Sequence, residues 1–166
     1  MLIKNLEREE CAEILKRNGF GRLGCVNKNQ PYVVPIYFAL ESERLFGFST
    51  EGQKIDWMRE NPLVCVEADD IKSEQEWTSV LVLGRYEELS DNAQYAMERQ
   101  HARALLEKRD FWWRLAIASS QTRVEQVPVV PIFYCIHIEE ISGHQASMEE
   151  ESVAPRLKPI PTSVAG

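Results

Sequence analysis

Residues 46–62 read FGFSTEGQKIDWMRENP. A short β-rich run ends at Phe48-Ser49-Thr50, the chain turns through Gly52, and Gln53 to Glu60 forms a compact helix that Asn61-Pro62 closes. The stop is well marked, because a proline ring pushes the residue before it out of the helical region. The start carries more chemistry. Backbone N–H groups at a helix N-terminus lack intrahelical acceptors, and the hydroxyls of Ser49 and Thr50 with the ammonium of Lys54 would complete a phosphate-sized anion site. The same pattern also describes an N-capped helix with an exposed lysine, since Ser and Thr are common caps. Local pattern leaves both readings open.

On either side lie further β-rich runs with short polar links, the signature of antiparallel hairpins rather than βαβ crossovers. Before the stretch come Phe20 to Val26, ended by Asn27-Lys28-Asn29-Gln30, and Tyr32 to Leu40, ended by Glu41-Ser42-Glu43; Leu45 to Ser49 leads into the loop itself. After it come Leu63 to Ala68, a polar loop from Asp69 to Glu76, and Trp77 to Leu89, apolar on both faces from Val80 to Leu83 as in a strand buried within a barrel. Ile132 to Ile141 is the last strand, with Ile132, Tyr134, Ile136 and Ile138 on one face. A helix is predicted over Glu7 to Arg17, stopped by Asn18-Gly19. Another is predicted from a Ser90-Asp91 cap to about Lys108, with Ala93, Ala96, Met97, Ala104 and Leu105 inward, followed by the aromatic cluster Phe111-Trp112-Trp113. Six strands with helical decoration make a mainly β chain, and closure into a barrel follows because an open sheet would expose two edges. Residues 1–143 are read as one domain. Residues 144–166, with Met148-Glu149-Glu150-Glu151 and prolines at 155, 159 and 161, are read as an acidic, proline-rich tail.

Composition narrows the function. The chain has 166 residues, 44% hydrophobic and 27% charged, with a net charge of −7. Lys and Arg form no block, which argues against nucleic acid and anionic membranes as partners. No apolar run is long enough for a membrane span and the N-terminus lacks the pattern of a signal peptide, so a soluble cytoplasmic protein is expected. Cys11, Cys25, Cys65 and Cys135 form no CxxC pair, and the expectation is reduced, buried thiols with neither a zinc site nor a disulfide framework.

Side-chain chemistry is sparse. Trp77-Thr78-Ser79 could stack on and hydrogen-bond a planar ligand, but is equally an ordinary strand start. His101 reads as solvated, His137 as lying on the less apolar face of the last strand, and His144 as sitting in the Gly143 turn. With no HxxxH or HxxE pair, no metal site is expected, and no GxSxG elbow supplies a nucleophile. An enzyme of this composition would need a cofactor to bring the chemistry.

Several segments in register resemble one family. Phe20-Gly21-Arg22-Leu23-Gly24-Cys25-Val26 with Gln30-Pro31-Tyr32-Val33-Val34-Pro35-Ile36-Tyr37 is similar to the first hairpin of the pyridoxamine 5′-phosphate oxidase-like, FMN-binding split-barrel proteins. Phe46 to Lys54 and Trp57 to Pro62 resemble that family's strand, phosphate loop and short helix, and Trp77-Thr78-Ser79-Val80 leading to Gly84-Arg85-Tyr86-Glu87 resembles its next long strand. The likeness covers roughly residues 3–143 and looks nearest to the nitroimidazole-resistance (Nim-type) branch. It implies a six-stranded antiparallel split barrel that forms a homodimer with FMN at the subunit interface. Ser49, Thr50, Gln53 and Lys54, with Phe48 beside them, would hold the FMN phosphate. Val34, Pro35, Ile36 and Tyr37 would run along the isoalloxazine edge, and Trp77 and Ser79 would come from a neighbouring strand, of the same chain or of the partner. The activity implied is an oxidoreductase passing electrons through FMN to a small, planar or nitroaromatic acceptor. The alternatives are a non-catalytic flavin or haem binder and a deazaflavin-dependent reductase of the same fold. Two departures narrow it further. The arginine and lysine that pyridoxamine phosphate oxidases carry in the strand Tyr32 to Tyr37, and their basic C-terminal segment, have no counterpart here, which speaks against that oxidation. Gly47 and Phe48 stand where Nim proteins have a histidine, which speaks against nitroimidazole reduction.

Overall fold

The structure, a computed structural model, describes residues 1–109 and 130–148. The aromatic cluster at 111–113 and the acidic run from 149 onward lie outside the described residues. Among the described residues, eight strands and three helices follow one another as β1 (Leu2–Asn5), α1 (Arg8–Asn18), β2 (Phe20–Asn27), β3 (Gln30–Tyr37), β4 (Ala39–Glu41), β5 (Arg44–Ser49), α2 (Gln53–Glu60), β6 (Leu63–Ser73), β7 (Glu76–Leu89), α3 (Ala96–Glu107) and β8 (Ile132–Ser147). All pairings are antiparallel, in the order β3-β2-β6-β7-β8-β5-β4, with β1 added along β8. β3 and β4 are the two ends of this sheet, and the chain passes directly from one to the other through Phe38. The sheet therefore curls into a barrel whose seam is crossed by the chain itself. Phe38 is buried, and its N–H donates to the Gly19 carbonyl at 2.9 Å.

That seam is one reason the strand count is eight and not six. The run Tyr32 to Leu40 breaks at Phe38, where the backbone leaves the β2 ladder. The other addition, β1, is exposed at every position and carries no burial pattern that a sequence could display. The segment expected as a polar loop, Asp69 to Glu76, is ladder up to Ser73 and again from Glu76, turning only at Glu74-Gln75. Asp69 and Asp70 are half-buried, and residues 71–76 at the end of this hairpin are exposed. The last strand runs past Ile141 to Ser147, so residues 144–147, read as the start of the tail, are strand, and His144 pairs with Ser79 rather than lying in a turn.

Alternation along β8 divides the interior in two. Ile132, Tyr134 and Ile136 point into the barrel with Leu23, Val66, Val80, Val82 and Ile55. Phe133 and Cys135 point outward and are covered, with Leu89, Phe46 and Ala39, by α3. α3 starts later than its sequence suggests. The Asn92 side-chain oxygen accepts from the N–H groups of Gln94 (2.9 Å) and Tyr95 (3.2 Å), a local turn that competes with helix. The later start puts Ala102 and Leu106 in the buried stripe with Tyr95 and, as expected, Leu105 packed beside them; Met97, expected inward, is 84% exposed, and Ala93, Ala96 and Ala104 are exposed as well. Burial on both faces of β7 is likewise corrected: Val80 and Val82 are inside, whereas Leu81 and Leu83 stand on an uncovered outer face.

Candidate functional site

α2 lies across β2 and holds its N-terminus at the end of β5. Gly52 has no side chain to cap the helix, and its carbonyl accepts from Ile55 N–H (2.9 Å) and Asp56 N–H (3.1 Å). The first amides, of Gln53 and Lys54, lie ahead of that first helical bond and are the unsatisfied donors of a helix start. Ser49 is buried, its hydroxyl donating to the Thr50 carbonyl at 3.0 Å, while Thr50 and Gln53 are exposed. Lys54 is half-buried beside Cys25 and pairs with no carboxylate among the described residues. Loss of hydration lowers its pKa, and Cys25 opposes that shift. Burial, with Cys65 close by, in turn raises the Cys25 thiol. A half-buried ammonium without a counter-ion, at a helix N-terminus and next to two hydroxyls, is an arrangement that an anion completes.

β3 borders this seat. Tyr32 meets Trp57 of α2 edge-on, with centroids 5.5 Å apart. As the end strand, β3 has one long edge without a partner strand among the described residues, and its prolines, Pro31 and Pro35, cost nothing on that side. Val34 packs on the barrel core, Ile36 is buried, Pro35 faces out, and the Tyr37 ring lies 4.7 Å from Phe20. Phe48 contributes only backbone to the seat, because its ring turns toward Phe133 under α3.

Trp77 and Ser79 are not brought to Lys54 within one chain. Cys25, beside Lys54, pairs with Val64, whereas Ser79 pairs with Asp69, five residues or about 17 Å along β6. Ser79 belongs to a polar network there: its hydroxyl donates to Glu67 at 3.1 Å, and Arg22 reaches both Glu67 and Asp69 at 3.1 Å.

Sequence reading missed three features. Arg59, in the last turn of α2, holds Glu88 of β7 and Glu51 of the loop together. An apolar depression of about 430 Å³ lies over the outer sheet face, lined by Val26, Tyr32, Val33, Leu63, Cys65 and Leu83. On the α3 side, Glu87, Cys135 and His137 converge, with His137 Nε2 2.6 Å from Glu87 Oε2 and 3.4 Å from Cys135 Sγ. The hydrogen bond from His137 holds the Glu87 carboxyl below its ordinary pKa, and burial pushes the Cys135 thiol up to about 12. Cys-x-His on a strand places two donors on one face, but the third comes from a different strand, where only register can reveal it.

This curled antiparallel sheet with a short helix at its open end is the split barrel, and the chain belongs to the pyridoxamine 5′-phosphate oxidase family, whose profile matches residues 7–145. It is 38% identical over 150 residues to an uncharacterised protein of Rhizobium meliloti (strain 1021), covering 90% of this chain and 99% of the other. The crystal structure of an FAD-binding protein from Mesorhizobium loti is 40% identical, with a TM-score of 0.72 over 89% of this chain and 99% of that one. A candidate 5-nitroimidazole antibiotic resistance protein from Bacteroides thetaiotaomicron, 16% identical over 87% of this chain and 89% of its own, shares the fold at a TM-score of 0.60. No described helix is long and apolar enough to cross a membrane.

Proposed function

We propose that this chain binds a flavin with its ribityl phosphate at the N-terminus of α2 and its ring along the free edge of β3. The observation that carries the reading is Lys54, a half-buried ammonium left without a carboxylate among the described residues at an uncapped helix start. The residues fit the group. Thr50, Gln53 and Lys54, with the Ser49 hydroxyl once it turns from the Thr50 carbonyl, would supply donors and charge for the phosphate, and the β3 backbone from Val34 to Tyr37 would supply polar groups for ring heteroatoms. A bound flavin would supply redox chemistry by accepting two electrons, and the chain's residues would orient it and limit water around it.

FMN is the flavin that a seat for one phosphate favours. FAD is the second reading, favoured by the FAD-binding relative at 40% identity, and both share the phosphate that Lys54 would hold. We further propose a homodimer in which Trp77 and Ser79 of one subunit approach the flavin held by the other, since the two sets lie apart within a single chain. The activity proposed is electron transfer from a reduced pyridine nucleotide to a small planar acceptor. Heat release and mass measurement of the flavin from purified protein tests the reading. Recovery of FMN or FAD near one per chain supports it and separates the two; a protein that retains neither after incubation with both overturns it. Bleaching of the bound flavin by NADH or NADPH is the separate test of the activity.

A further inference from the structure

We propose that Glu87, Cys135 and His137 form a binding site for a divalent transition-metal ion, Zn²⁺ by preference, with Glu87 Oε2, Cys135 Sγ and His137 Nε2 as ligands and water in a fourth position. The site is separate from the flavin seat: it lies on the α3 side of β7 and β8, whereas Glu88, the next residue along, faces α2. Register builds it. Glu87 is the cross-strand partner of Cys135, and His137 follows two residues later on the same face of β8.

The three donor atoms lie within 4.8 Å of one another. Tetrahedral zinc bonds of about 2.0–2.3 Å require ligand atoms about 3.3–3.7 Å apart. Cys135 Sγ is 3.4 Å from His137 Nε2 and 3.7 Å from Glu87 Oε2, so both edges that involve sulfur already have that length. The third edge, His137 to Glu87, is a 2.6 Å hydrogen bond and must open by somewhat under 1 Å. Both side chains can move, since His137 is 45% and Glu87 38% exposed, and their exposure also gives the ion a way in.

A catalytic Cys-His-Glu relay would look different. There the acid binds one ring nitrogen and the thiol the other. Here the same Nε2 faces both partners, so the donors converge on a point instead of forming a chain. The outer shell is present as well: Tyr95 OH donates to the second oxygen of Glu87 at 3.0 Å, fixing the carboxylate. Other charged groups around the cluster are Arg44, stacked on the Phe46 ring, and Glu98, which holds Arg44 at 3.4 Å. A thiolate with an imidazole and a carboxylate suits zinc better than hard cations such as Mg²⁺. Binding releases the Cys135 thiol proton to solvent, requires the neutral His137 ring to carry its proton on Nδ1 so that Nε2 is free to ligate, and joins β7, β8 and the start of α3.

Cobalt(II) titration of chelator-treated full-length protein tests this, because its tetrahedral d–d bands lie to the red of any flavin absorption. One Co²⁺ per chain should bind with a thiolate charge-transfer band, and Zn²⁺ should displace it. His137→Gln, at an exposed position that keeps the fold, should abolish the band. Tyr95→Phe should weaken Zn²⁺ about 10- to 100-fold with flavin content unchanged. Cobalt binding without a sulfur band, a band that survives in His137→Gln, or no binding at all overturns the proposal.

Discussion

Arg59 and Glu88 are joined by two parallel hydrogen bonds, Nε to Oε2 at 2.7 Å and Nη2 to Oε1 at 2.9 Å. The same guanidinium grips both oxygens of Glu51, at 2.9 and 3.1 Å, on the loop before α2. One side chain in the last turn of the helix thus fastens the loop at its start to the barrel wall. The position of the anion seat depends on that clamp more than on the eight residues of the helix itself, which is too short to be stable alone.

The clamp has an acid signature. Arg59 holds the Glu88 carboxyl below its ordinary value of 4.5. A carboxylate with a lowered folded pKa contributes stability that is complete above the unfolded value and lost as pH falls through the folded one. Urea midpoints should therefore drop on acidification below about pH 4.5. In Glu88→Gln the decline should be shallower and the stability at neutral pH lower by about 1 kcal/mol, the upper range for a partly exposed pair. The slope should not vanish, because Glu87 is also held low by His137. Parallel pH profiles for variant and parent would show that the clamp contributes nothing in solution.

Removing the cation tests the seat directly. Lys54→Ala deletes a charge-assisted contact worth about 1.5–3 kcal/mol, so flavin affinity should fall about 10- to 150-fold. Fluorescence quenching of the free flavin measures it, with FMN and FAD run side by side. Unchanged affinity for both would place the phosphate elsewhere.

Much of this was legible in the chain, and the failures have physical causes. The strand–loop–helix at 46–62 needs only local chemistry: hydroxyls, a glycine and an Asn-Pro stop, and the structure forms the strand to Ser49 and the helix from Gln53 to Glu60 as that chemistry predicts. The inward face of β8 follows from alternation at Ile132, Tyr134 and Ile136. What escaped was decided between segments. The start of α3 depends on a turn at Asn92 that competes with a plausible cap at Ser90. Leu81 and Leu83 look like core by composition, and only the sheet's register shows that they face outward. The Glu87–Cys135–His137 convergence spans two strands 48 residues apart in sequence.

Gly47 carries a packing constraint. A Cβ there would stand 2.6 Å from Cζ and the hydroxyl oxygen of Tyr134. This is where the Nim resemblance calls for a nearby histidine, and the space is already filled by the tyrosine ring. Gly47→Ala should cost about 1–3 kcal/mol through overpacking, read as a lower urea midpoint. Tyr134→Phe should be neutral or stabilising, because the hydroxyl is buried with no hydrogen-bond partner among the described residues. A Gly47→Ala protein as stable as the parent would mean that the Tyr134 ring moves aside freely.

The outer face of the sheet yields the last prediction. Register aligns Val33, Gly24, Cys65 and Leu83 in one row across β3, β2, β6 and β7, ending at Glu140 of β8. Val33 is 63% exposed, Leu83 42% and Leu63, beside them, 53%. Polar residues border the row, with Arg22 and Glu67 on one side and Arg85 and Glu139 on the other. An apolar strip with a charged rim is the form of a subunit interface, and burying it would cover the exposed Val33 and Leu83 together with Val26 and Leu63 beside them. Leu83→Glu places a charge at its centre while pointing away from the core, so the fold should survive. Light scattering should then report one chain instead of two, and flavin should be lost with the dimer if Trp77 and Ser79 act across the interface. A parent protein of one-chain mass that still holds flavin would confine the whole cofactor site to a single subunit.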